Sequence, residues 1–84
     1  MPQWLFWATI AQTQLRRLDK QIAMRLFEAI MKMRDGYGDI KPLTGYDPPR
    51  KRIKVGDYRV VYRELGQGKY EILRVGHRSR VYKD

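Results

Sequence analysis

Residues 50–82, RKRIKVGDYRVVYRELGQGKYEILRVGHRSRVY, decide how this chain folds. Arg52-Ile-Lys54-Val55 alternates cation with aliphatic, the period of a strand, and sets Arg52 and Lys54 on one face. Gly56-Asp57 then reads as a two-residue hairpin, with glycine at the first central position of a type II′ turn. Tyr58 to Leu65 is the returning strand; Tyr58, Val60 and Tyr62 share one face, and Arg59, Val61 and Arg63 the other. Gly66-Gln67-Gly68-Lys69 predicts a second, looser turn. A third strand follows from Tyr70 to Val75, with a change of direction at Gly76. The stretch is a three-strand antiparallel meander.

Upstream, the pattern changes. Trp4 to Trp7 suits a short strand whose tryptophans serve core packing or a sheet edge, with base-stacking platforms as the rarer use of such residues. Thr9-Ile-Ala-Gln12 has the spacing of a capping box, and Ala11, Leu15, Leu18 and Ile22 follow at helical intervals. Asp19 is placed to cap a second helix, whose stripe is Ile22, Leu26, Ala29, Ile30 and Met33. Gly36 closes it, and Tyr37 to Pro49, with two glycines and three prolines, predicts a connecting loop. The expected architecture is α+β: an N-terminal strand, a helical hairpin, then the meander, with helices packed on one sheet face. The other face is left to solvent or a ligand.

A single domain over residues 1–84 is expected, with one modest core and no deep substrate cavity. The chain has no cysteine, which excludes disulfides and thiolate metal sites and is compatible with a cytoplasmic location. No His/Asp/Glu cluster has metal-ligand spacing, so no cofactor is expected. The apolar run from Trp4 to Ala11 is too short to span a bilayer and lacks the flanks of a signal peptide. The net charge is +9. Residues 48–84 hold eleven Lys/Arg against four Asp/Glu and contribute +7; residues 1–47, with seven against five, contribute +2. That asymmetry points to a polyanion, either nucleic acid or an acidic protein, although a basic surface kept for solubility gives the same count. The cations do not lie on an amphipathic helix, which argues against a membrane.

Lys54-Val-Gly-Asp-Tyr-Arg-Val-Val-Tyr62 and Ile72-Leu-Arg-Val-Gly-His-Arg-Ser-Arg-Val-Tyr82 resemble the two signature strands of the RelE/ParE toxin superfamily. Leu15-Arg-Arg-Leu-Asp-Lys20 and Lys41-Pro-Leu-Thr-Gly45 are similar to its helix junction and pre-sheet loop, so the likeness covers nearly the whole chain. The superfamily divides into ribosome-dependent mRNA endoribonucleases, the RelE branch, and DNA gyrase poisons, the ParE branch. Fold does not choose between them. The H-R-x-x-V-Y ending favours the RelE branch, and the resemblance implies a toxin held by a cognate antitoxin and acting on mRNA in the ribosome. DNA contact would come only through the antitoxin complex. A non-catalytic basic RNA-binding module is the third possibility.

Carried over residue by residue, the resemblance implies catalytic roles for Lys54, Arg59, Arg78 and Tyr82, with Arg52 as partner to Lys54. Where some members have Lys, this chain has Arg52, which keeps the charge and loses any proton-transfer role. Arg50, Lys51, Arg52, Arg63, Arg80 and His77 are the RNA-binding candidates. Metal-free RNA cleavage uses the 2′-hydroxyl as nucleophile and needs a base, an acid and cations for the phosphorane. Arg59 and Arg78 suit the phosphorane, because guanidinium grips phosphate oxygens bidentately. Lys54, crowded by like charges that favour the neutral amine, is the candidate base, and Tyr82 can stack on a nucleobase. His77 has the right intrinsic chemistry for proton transfer, but strict alternation sets it opposite Arg78.

Overall fold

The computed structural model of the protein describes residues 1–83. Seven elements follow in order: β1 (Leu5–Trp7), α1 (Thr9–Arg17), α2 (Lys20–Arg34), β2 (Asp39–Leu43), β3 (Arg50–Val55), β4 (Tyr58–Gly66) and β5 (Lys69–His77). The strands form one five-stranded sheet in the order β1-β5-β4-β3-β2. The last four pair antiparallel in sequence, whereas β1 lies parallel to β5, with Leu5 opposite Tyr70 and Trp7 opposite Ile72. The helical hairpin carries the chain from one sheet edge to the other and packs α1 on β5 and α2 on β3 and β4. One face of the sheet is thereby covered and the other is open.

The covered face holds the core. Leu26, Ile30 and Met33 of α2 meet Ile53, Val60, Tyr62, Ile72 and Val75 of the sheet, with Leu5 and Ala11 completing the cluster. Trp4 and Trp7 pack against it, and the Arg34 guanidinium lies 4.5 Å from the Trp4 ring centroid. Ile72 and Val75 are three residues apart, an interval that an even pleat sends to opposite faces. Both reach the core because Leu73 is an extra residue, lying between the pairs Tyr62↔Ile72 and Val61↔Arg74.

Four local expectations are corrected. Tyr37 to Pro49 is not all loop, because Asp39–Leu43 forms the edge strand β2. Ile40 turns to the core opposite Ile53, and Pro42 is tolerated because an edge strand needs hydrogen bonds on one side only. The capping box at Thr9 does not form. The Ala8 amide is held by Ile72 O at 2.9 Å, so the helix is capped one residue earlier and the Gln12 amide reaches Trp7 O instead. The second turn is tight rather than loose: Gln67 and Gly68, at φ 55° and 73°, are the central pair of a two-residue hairpin closed by Gly66↔Lys69. The third strand also runs on past Gly76 to His77.

Other expectations hold. The Asp19 carboxylate accepts from the Gln21 amide at the start of α2, and Gly36 takes φ +86° beyond its end. Gly56 has φ +59° while Asp57 stays negative, as a type II′ turn requires.

Beyond β5 the chain folds back over the open face. The Arg80 and Val81 amides both donate to His77 O, and the Arg78 amide donates to Asp57 O at 2.8 Å, tying this terminal turn to the β3–β4 hairpin. Val81 is 1% exposed, and its Cβ lies 3.9 Å from where a Cβ would stand on Gly76. Val61 and Val81 are buried yet stand outside the helix-side cluster.

Candidate functional site

Alternation in β3 fixes the site. Ile53 is buried on the helix side, so Arg50, Arg52 and Lys54 project from the open face. In the paired register Arg59 stands opposite both Lys54 and Gly76, and Val61 stands opposite Arg52. The terminal turn then brings Arg78, Ser79 and Tyr82 over the end of β5. The result is an open concavity of about 570 Å³ lined by Arg52, Lys54, Arg59, His77, Arg78, Ser79 and Tyr82.

Each cation is held differently. Arg59 Nη1 donates to Gly56 O at 2.8 Å and Tyr58 O at 2.9 Å, so the carbonyls of its own hairpin aim the guanidinium. The Arg52 side chain, 14% exposed, donates to Asp39 O and Oδ1 at 2.9 and 3.2 Å. Arg78 is exposed, its Nε 3.8 Å from Asp57 Oδ1, a separation worth little in water. Among the described residues no carboxylate lies within ion-pair distance of Lys54 or Arg59. Such a concentration of positive charge, with one pair already neutralised, is built to receive an anion.

His77 and Arg78 both line this concavity. His77 is still a strand residue, paired with Tyr58 of the helix-facing set, so its ring lies on the Tyr58 side as alternation expects. His77 Nδ1 accepts from the Ser79 amide at 3.2 Å and lies 2.8 Å from Ser79 Oγ, while Tyr58 packs edge-on against the ring at 5.5 Å.

The remaining candidates stand elsewhere. Lys51 is on the helix-facing side and pairs with Glu64 at 3.2 Å. Arg63 is closed onto Glu71 at 2.6 Å, and Arg50 lies 4.4 Å above the Tyr46 ring. Arg80 is exposed on the terminal turn and does not line the concavity. Two residues that sequence reasoning passed over matter here. Asp39 fixes Arg52 from a segment expected to be loop, and Ser79 fixes the His77 ring. No clean alternation marks the edge strand bearing Asp39, since its aliphatics Ile40 and Leu43 are three residues apart, and nothing in sequence marks Ser79.

A helical hairpin on one face of a mixed sheet, with a cationic concavity on the other, is the architecture of the RelE/ParE toxin superfamily. The model for the ParE toxin of the type II toxin–antitoxin system parDE matches residues 5–82, and the chain belongs to this toxin family. Solved structures with the same fold include the toxin of the RelB–RelE antitoxin–toxin complex of Methanococcus jannaschii. It is 25% identical, with 88% of this chain and 91% of that one covered at a TM-score of 0.69. The toxin–antitoxin complex RelBE2 of Mycobacterium tuberculosis gives 26% identity, 92% and 99% coverage and a TM-score of 0.71. A copper-bound mutant toxin from Helicobacter pylori, at 20% identity, 93% and 97% coverage and a TM-score of 0.67, shares the fold. No curated protein sequence matches the chain significantly.

Proposed function

We propose that this toxin is a ribosome-dependent mRNA endoribonuclease that inhibits translation. The observation that carries the proposal is the convergence of Lys54, Arg59, Arg78 and Tyr82 on one open concavity. Lys54, exposed and without a carboxylate partner, takes the 2′-hydroxyl proton as the 2′-oxygen bonds to phosphorus, and the departing 5′-oxygen takes its proton from water in the open site. Arg59, aimed by its hairpin, and Arg78 bind the phosphorane oxygens. Tyr82, 42% exposed, stacks on a base beside the scissile phosphate. Arg52, its charge answered by Asp39, is held in place on the same strand face as Lys54.

The concavity is shallow and wide open, so it cannot by itself hold a flexible RNA in attack geometry. A ribosome presenting the message would do so, and orientation is worth about 7–11 kcal/mol of barrier. A cognate antitoxin is the expected partner in the same compartment, since the M. jannaschii and M. tuberculosis relatives are in antitoxin complexes. The apolar groove between Leu15, Ala23, Met24 and Phe27 on the helical hairpin, with Met24 56% exposed, suits an amphipathic antitoxin segment. DNA contact would arise only through that complex.

Inducing the chain alone and mapping 5′ ends of cellular mRNA, with and without translating ribosomes, tests this reading. Ribosome-phased cuts are expected, and Arg59→Ala, Arg78→Ala and Tyr82→Ala should each relieve growth inhibition while the domain stays folded. Full toxicity of all three would overturn the site. The family model that matches is that of ParE toxins, which supports a second reading, inhibition of DNA gyrase. It predicts DNA damage and stalled replication without mRNA cuts.

A further inference from the structure

We propose that Tyr46 and Arg50 form a nucleobase-stacking subsite for single-stranded RNA, set apart from the concavity at the other end of β3. Arg50 belongs to the open-face row of β3 with Arg52 and Lys54, and at strand rise it stands ~13 Å from Lys54. A short stretch of extended RNA spans that distance. The immediate neighbours of Arg50, Lys51 and Arg52, are closed by Glu64 and Asp39, and Arg63 on the next strand by Glu71. Arg50 is treated differently. Among the described residues it has no carboxylate, and its guanidinium instead lies 4.4 Å from the centroid of the Tyr46 ring.

A guanidinium laid over an aromatic ring has one plane covered and the other turned away from it. That outer plane is a stacking surface for a base, held in place before any ligand arrives and without loss of its charge. Tyr46 is 40% exposed, and Tyr82, 42% exposed, stands at the far end of the same cationic row. Two aromatic positions bracketing a run of cations are the parts of a single-strand track, in which stacking tolerates any base because every base has a π-face. The subsite rests on the open face taking RNA, as the endoribonuclease reading requires.

The test uses the purified toxin and a short, fluorescein-labelled RNA with 2′-O-methyl groups, which blocks cleavage. Anisotropy is compared with the same RNA carrying one abasic nucleotide at successive positions. Wild type should lose about 5- to 100-fold in affinity at one abasic position. Arg50→Lys, which keeps the charge and removes the plane, and Tyr46→Ala should each bind more weakly. Both should also become indifferent to that abasic site, with thermal melts confirming that they fold. Lys54→Ala should bind more weakly yet retain the abasic penalty. Wild-type affinity in Arg50→Lys and Tyr46→Ala, or an undiminished penalty in them, would show that the pair only braces its loop. Binding with the penalty but no mRNA cuts on ribosomes would leave the subsite standing and defeat the endoribonuclease reading. No RNA binding by wild type, or no abasic penalty in it, would defeat the subsite, while the endoribonuclease reading would still stand or fall on ribosome-phased cuts.

Discussion

Val81→Ala separates the terminal turn from the rest of the fold. Val81 is 1% exposed and belongs to the open face, outside the helix-side cluster, so its burial serves the turn that carries Arg78 and Tyr82. Removing two methyl groups costs ~1.6 kcal/mol of transfer free energy, and the cavity left behind brings the total to roughly 2 kcal/mol. That lowers the docked-to-undocked ratio of the turn about 30-fold. The amides that report docking are those of Arg78, bonded to Asp57 O, and of Val81, bonded to His77 O. Native-state hydrogen exchange should show both opening about 30-fold more often, while the amides of Ile53, Val60 and Ile72 shift much less. Toxicity should fall with the docked fraction. If exchange rose equally at Val81 and Ile72, the turn would be part of one cooperative unit. The separation drawn here would then be wrong.

Three further outcomes are expected. Gln67→Asn, at φ 55° before Gly68, creates the preferred Asn-Gly pair of a type I′ turn and should raise stability by about 0.5 kcal/mol, seen as a higher Tm. Gln14→Ala removes the acceptor of the Val75 amide, a 2.9 Å bond, and should cost ~1–3 kcal/mol by denaturant melt; Gln14→Glu, which keeps an oxygen, should cost less. Burial first, then Glu64 and Tyr70, push the Tyr62 phenol from 10.0 up to about 12. The folded state holds that proton more tightly, so its contribution is complete below pH 10 and is lost as pH rises from 10 to 12, roughly 3 kcal/mol in all. Tyr62→Phe should therefore have a shallower alkaline decline, measured as stability against pH.

The meander and the helix stripe were legible because burial leaves a period in the sequence. Ile53, Val60 and Leu26 all fell where alternation or helical spacing put them. What escaped notice was set by pairing rather than pattern. β2 hides among glycines and prolines because an edge strand half exposed to water needs only Ile40 to face the core, while Leu43, opposite Arg50, lies on the other face. The bulge at Leu73 leaves no local mark, being fixed by what stands across from it. Lys54, Arg59, Arg78 and Tyr82 were gathered in advance by family resemblance, and the structure brings them to one concavity. The division of cations into paired and unpaired was not legible, since Asp39 and Glu71 reach Arg52 and Arg63 only across neighbouring strands.

The parallel pairing of β1 with β5 joins Leu5 to Tyr70, across most of the chain. Such a contact forms only after a long loop has closed, and it gives nothing back until then. During synthesis, β1 leaves the ribosome first and must wait, with Trp4, Leu5 and Trp7 uncovered, until β5 has followed. The helical hairpin can form early from local contacts, but its apolar stripe has no complete sheet to cover until the meander exists. The terminal turn, with Arg78 and Tyr82, docks onto β5 last of all. Truncation before His77 removes Arg78 and Tyr82 but keeps Ile72 and Val75, and should give a chain that folds its sheet and helices yet no longer poisons its host.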